Sequence, residues 1–107
     1  MTPGRREKRQ FDPESYPALR EFLPAYLHQD FGEAYGSPSA AFAALIADAS
    51  ADQVRKLREE WAALRRAFSG RPLHDLQRAL TQLGAAWRPE SEQEFQDVDE
   101  ILTQAGA

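Results

Sequence analysis

Val54, Leu57, Trp61, Leu64 and Phe68 recur three and four positions apart, and at about 100° per residue they fall within about 80° of one helix face. A strand cannot use that spacing, because it sends alternate side chains to opposite faces. So narrow a seam has to be covered by other helices. Ser50 and Gln53 stand where a capping box would open this helix. Ser69-Gly70-Arg71-Pro72 would close it, since Gly takes the left-handed C-cap and Pro cannot continue the ladder. The helix is therefore expected over about residues 51–68.

The same period recurs on both sides. Tyr16, Leu19, Phe22, Leu23, Tyr26 and Leu27 span an arc of about 140°, giving a first helix opened by Ser15 and Pro17. Pro24 falls inside it, with its ring directed away from the apolar arc, so a bend is expected rather than a break. Ser37 and Pro38 open an alanine-rich helix that buries Phe42, Leu45 and Ile46, and Ala40, Ala41, Ala43 and Ala44 would let neighbours approach closely. Leu73, Leu76, Leu80 and Leu83 form another arc of about 80°, closed by Gly84. It is expected to pair with the 51–68 seam as a helical hairpin. Trp87 reads as a plug over one end of the bundle, and Ser91 with Glu94 opens a last helix carrying Phe95, Val98, Ile101 and Leu102. The fold expected is all-α, a single small bundle of about five helices, because alternating β-branched runs are absent and 107 residues suffice for one core.

Charge divides the chain. Residues 1–10 hold Arg5, Arg6, Lys8 and Arg9 against Glu7, leaving 9 bases and 16 acids from Phe11 onward, a balance of −7. We read 1–11 as a disordered basic arm, with a solubilising leader as its plain role, and 12–107 as one acidic helical domain. An acidic body is poorly suited to gripping phosphates, so no nucleic-acid partner is expected, and Glu59 and Glu60 interleave with Arg55, Arg58, Arg65 and Arg66, with Glu59 at ion-pair spacing from Arg55, as on a self-paired solvated face. The alternative is a small helical nucleic-acid-binding regulator using the arm and that Arg-bearing helix. Cysteine is absent, which rules out disulfides and thiolate chemistry and suits the cytoplasm. No window approaches the roughly 18 apolar residues of a membrane span, and no signal peptide or anchor is read.

No phosphate loop, nucleophile elbow or zinc-protease motif is present, and the two histidines, His28 and His74, stand on different predicted helices. We therefore assign no catalytic residue, no metal and no cofactor. A hydrolase reading would need a metal on His28, Asp30 and Glu33; the plain alternative is a His28 ring bonded to nearby backbone or carboxylate. Acids crowd the start of the last helix. Glu92 and Glu94 gain there from the helix dipole, whereas Asp97, Asp99 and Glu100 lie farther along and are candidates for binding.

The densest local pattern is Tyr16-Pro17-Ala18-Leu19-Arg20-Glu21-Phe22-Leu23, then Tyr26-Leu27-His28-Gln29-Asp30-Phe31, then Tyr35-Gly36-Ser37. It resembles the CdiI-type immunity proteins of contact-dependent growth inhibition systems, and the resemblance continues through Leu83-Gly84 and Trp87-Arg88-Pro89, covering about residues 16–102. Pro24 departs from the helix-compatible residue expected there. The resemblance implies a bacterial cytoplasmic protein that binds and neutralises the C-terminal toxin domain delivered by a neighbouring cell, without catalysis of its own. His28, Gln29, Phe31 and Tyr35 match the motif and are read as structural, with Phe31 and Tyr35 as buried supports. Asp30, Glu33, Asp97, Asp99 and Glu100, with an exposed aromatic, are the expected toxin contacts. The toxin's identity and the oligomeric state are not encoded in any feature of the chain.

Overall fold

A computed structural model describes residues 11–104, apart from the side chain of Phe31. The basic arm therefore falls outside the described residues except for Phe11. That residue is half-buried, stacks on Tyr16 at 5.3 Å and meets Phe68 edge-on at 5.8 Å, so Phe11 packs with the helical domain. After a 3₁₀ turn at Pro13–Ser15 come α1 (Pro17–Tyr26), α2 (Phe31–Tyr35), α3 (Pro38–Asp48), α4 (Ala51–Ala67), α5 (Leu73–Gln82) and α6 (Glu92–Gln104). Five of these are the expected helices. The sixth, α2, is a single turn folded out of the corner between α1 and α3. The described residues contain no strand.

Local chemistry sets most of the boundaries. Ser50 Oγ accepts from Gln53 N at 3.1 Å while Gln53 Oε1 accepts from Ser50 N at 2.8 Å, completing the box at the head of α4. Ser37 Oγ accepts from Ala40 N at 3.1 Å to start α3. At α6, Ser91 Oγ accepts from Glu94 N, but the Glu94 carboxylate reaches back one residue further than expected, to Glu90 N at 2.7 Å.

The start of α1 differs from the expectation. Ser15 turns its hydroxyl toward Asp12, because the 3₁₀ turn makes Tyr16 the N-cap, and Tyr16 offers no capping side chain. The orphan donors of α1 are met from another helix: Ala18 N and Leu19 N donate to Glu60 Oε2 at 3.0 Å and Oε1 at 2.9 Å. Glu60 is thus a tertiary cap rather than an ion-pair partner of the arginines on α4. Pro24 sits inside α1 with its ring exposed, and the helix runs on through it to Tyr26.

The core is built from the arcs read in the sequence. Leu19, Leu23 and Leu27 meet Phe42 and Leu45, the complete α4 seam is buried, and Leu76, Leu80, Leu83, Val98 and Leu102 close around it. Phe42 lies between two indoles, with ring centroids 5.6 Å from both Trp61 and Trp87 and edge-on to each, so Trp87 belongs to the core proper.

The pairing of helices is not the expected hairpin. α4 runs beside α1 and α6, while α5 enters the core through Leu76, Ala79 and Leu80 without lying along α4. α3 and α6 make the most extensive helix pair, and the small side chains of α3 leave room for it. Ala41 is fully buried and Ala40 and Ala44 half-buried, but Ala43 faces outward.

Candidate partner-binding surface

The corner is built by an abrupt end to α1. The Leu27 N–H closes on the Leu23 carbonyl at 2.7 Å, and the Leu27 carbonyl accepts from Ala86 N at 2.7 Å, which pins the corner to the segment after α5. His28 is half-buried, and its Nδ1 accepts the Asp30 backbone N–H at 3.1 Å. The ring therefore organises the turn. The described residues include no group of three or more His, Asp or Glu placed to hold a metal ion.

Gly36, at φ +92°, takes a conformation that costs a side-chain-bearing residue steric strain, and so ends α2 and turns the chain into Ser37. Tyr35 is half-buried against the core, while Gln29, Asp30 and Glu33 are exposed. The side chain of Phe31, read as a support, lies outside the described ones.

Above the corner, aromatic rings follow one another. Phe22 lies 6.3 Å from Tyr26, Tyr26 stacks 6.1 Å from Tyr35, and Tyr35 lies 6.4 Å from His28. All four are half-buried. The Tyr26 hydroxyl donates to Asp48 Oδ2 at 2.6 Å, and that hydrogen bond, with lesser help from burial and the negative charge, pushes the phenol up to about 12. Tyr26 and Asp48 are 22 residues apart, so no local spacing announced the pair. Phe22 and Tyr26 belong to the apolar arc of α1, and the structure leaves both half-buried.

Charge is distributed unevenly around this surface. Residues 21–54 contain Glu21, Asp30, Glu33, Asp48 and Asp52 and neither lysine nor arginine. On the outer face of α4, by contrast, Arg55 pairs with Asp52 and Glu59, and Lys56 with Asp52. The Arg55 guanidinium beside Asp52 holds that carboxyl below its usual range.

The three acids of α6 have separate fates. Asp97 is exposed and accepts from Gln93 Nε2 at 3.0 Å. Glu100 is exposed. Asp99 points inward: its Oδ1 accepts from Trp61 Nε1 at 2.9 Å and lies 3.3 Å from Arg65 Nε, leaving its side chain 17% exposed. Its first task is to satisfy a buried indole N–H, a role set by a residue 38 positions away and invisible to spacing.

Asp99 and Glu100 also line an open groove of about 610 Å³ where the end of α4 and the start of α5 meet α6. Its walls mix signs, with Arg65, Arg66 and Arg71 facing Glu92, Asp99 and Glu100 over Phe68 and Phe95. Arg71 pairs with Asp75 at 3.1 Å and caps the Phe68 ring at 4.8 Å. The five candidate carboxylates are thus divided between two places, Asp30 and Glu33 at the corner and the other three on α6. Both α2 and α6 pack on α3.

No helix among the described residues is long and apolar enough to cross a membrane. Searches of curated proteins and of solved structures find no match. A family model described as CdiI immunity protein matches residues 15–104, from the last residue of the 3₁₀ turn to the last residue of α6, taking in the aromatic corner and the buried core. The chain belongs to the CdiI immunity protein family, whose role in contact-dependent growth inhibition is to neutralise a toxin.

Proposed function

We propose that this protein binds the C-terminal toxin domain of a contact-dependent growth inhibition effector in the cytoplasm and blocks its active site by stoichiometric contact, with no catalysis of its own. The observation that carries the reading is the family match over residues 15–104, which takes in all six helices. Two features of the molecule support it. The folded residues carry a balance of −7, which would speed encounter with a basic toxin and resist misdirected contact with nucleic acid. The exposed acids Asp30, Glu33, Asp97 and Glu100 stand on or at the ends of helices anchored by a buried core and face solvent already, whereas Asp99 contributes at the edge it leaves exposed beside Trp61 and Arg65. A complex of this kind buries on the order of 1,600 Å² in total.

The nucleic-acid alternative gains no support from α4, where Arg55, Lys56 and Arg65 are already paired with carboxylates. The test is co-expression with the toxin domain encoded next to this chain's gene. Protected growth and a co-purifying complex are expected. Undiminished toxicity with folded chain present, and no complex, would overturn the reading.

A further inference from the structure

We infer that the aromatic ladder of Phe22, Tyr26, Tyr35 and His28, with Asp30, Glu33 and Asp48 around it, is the contact surface for a lysine- or arginine-bearing segment of the partner protein; this rests on the toxin-binding reading above. The rings follow at 6.3, 6.1 and 6.4 Å, and each is half-buried, so the core fixes its inner edge while part of it stays open to solvent. Rings held in this way give up little freedom on binding, which is why Tyr dominates interface anchors.

Each acid stands beside the ladder in the chain or in space, and Asp48 bonds to it through its carboxylate. Asp48 holds the Tyr26 hydroxyl, the Asp30 N–H holds the His28 ring, and Glu33 shares the single turn of α2 with Tyr35. The charge then selects the occupant. Residues 21–54 supply no cation, and among the described residues Asp30, Glu33 and Asp48 form no ion pair, whereas the exposed acids of α4 are paired along their own helix. An aromatic face beside carboxylates that form no ion pair among the described residues is the chemistry that receives an ammonium or guanidinium group, through cation–π attraction and charge-assisted hydrogen bonds together. The same carboxylates repel a phosphate backbone. The mixed-sign groove by α6 lacks this bias, since its arginines and acids face one another.

The experiment measures binding of the full chain to the toxin domain encoded next to it, by calorimetry. The triple variant Asp30→Asn/Glu33→Gln/Asp48→Asn alters only exposed side chains, and is expected to weaken binding by about tenfold or more and to flatten its salt dependence. Tyr35→Leu, with its fold checked by circular dichroism and urea midpoint, is expected to weaken binding by about tenfold. A matched triple, Glu14→Gln/Glu59→Gln/Glu90→Gln, removes the same charge elsewhere and is expected to change affinity by less than about threefold.

Equal weakening by the two triples, or wild-type affinity in the ladder variants, would overturn the ladder while leaving toxin binding intact. Absence of binding by the wild-type chain would overturn the toxin-binding reading and the ladder with it. A third outcome would make the chain's own basic arm the occupant and overturn the assignment: Tyr26 and Tyr35 ring resonances that shift on deleting residues 1–10 with no partner present.

Discussion

Replacing Glu60 by Ala tests whether a side chain from α4 holds the start of α1. The Glu60 carboxylate receives two backbone N–H groups, Ala18 at 3.0 Å and Leu19 at 2.9 Å, both partly buried. The residue at the N-cap position, Tyr16, makes no capping bond of its own. Removing an ordinary N-cap costs about 1 kcal/mol, and hydrogen bonds to a charged acceptor run to about 1.5–3 kcal/mol each before solvent replaces them. Water can reach the vacated helix end, so the net expectation is about 2 kcal/mol. For a chain of this size that lowers the melting temperature by about 10 °C, or the urea midpoint by about 1.5 M at an m-value near 1.3 kcal/mol/M.

Glu60→Gln is expected to recover only part of the loss, because its amide sets a donor against one of the two N–H groups. The neighbouring Glu59→Ala is the control. Glu59 is exposed and touches only Arg55, at 3.7 Å, so its removal is expected to cost less than about 0.5 kcal/mol. Urea titrations followed at 222 nm on the three variants decide the matter. Glu60→Ala no worse than Glu59→Ala would refute the tertiary cap.

Two glycines are expected to respond with opposite signs. Gly84→Ala meets φ +99° and places its Cβ 3.2 Å from the Pro24 ring, a cost of about 2 kcal/mol, whereas Gly32→Ala, in α2 with nothing within 4 Å, gains up to about 0.5 kcal/mol; both are read by thermal melts. Tyrosine ionisation followed at 295 nm should include one phenol titrating at about 12, which is absent in Tyr26→Phe and moves back toward 10 in Asp48→Asn. A raised phenol stabilises the native state fully below its ordinary value of 10, and loses that contribution as pH climbs through about 12, so the stability difference between Tyr26→Phe and wild type should vanish over that window. Asp99→Ala leaves the Trp61 N–H without its acceptor and is expected to cost about 1–2 kcal/mol and to change Trp61 fluorescence; an unchanged urea midpoint would contradict the inward role given to Asp99.

Most of what neighbours along the chain set was legible, the exceptions being the 3₁₀ turn before α1 and the single turn of α2. The α4 seam of Val54, Leu57, Trp61, Leu64 and Phe68 is buried throughout, and the Ser50–Gln53 box forms as the spacing required. What depended on distant partners was not. Glu60 interleaves with the arginines of its own helix and has Lys56 four positions before it, so it reads as an ion-pair mate on that helix, yet it serves a helix end about forty positions earlier. The arcs of α4 and α5 are equally narrow, and nothing in an arc states which other arc it will meet. In the fold α4 lies beside α1 and α6, and α3 makes its most extensive helix contact with α6. At the corner, the residue types signalled an unusual turn, but the ladder emerges only when α1, α2 and the end of α3 come together to set Tyr26 against both Tyr35 and Asp48.

The most direct measurement is the activity of a fixed amount of the toxin domain encoded next to this chain, recorded as the chain is added in known equivalents. Stoichiometric blockade predicts a linear fall that reaches background at one equivalent, with both proteins recovered unmodified in one complex. Full toxin activity in the presence of excess folded chain, or its abolition by a small fraction of an equivalent, would contradict it.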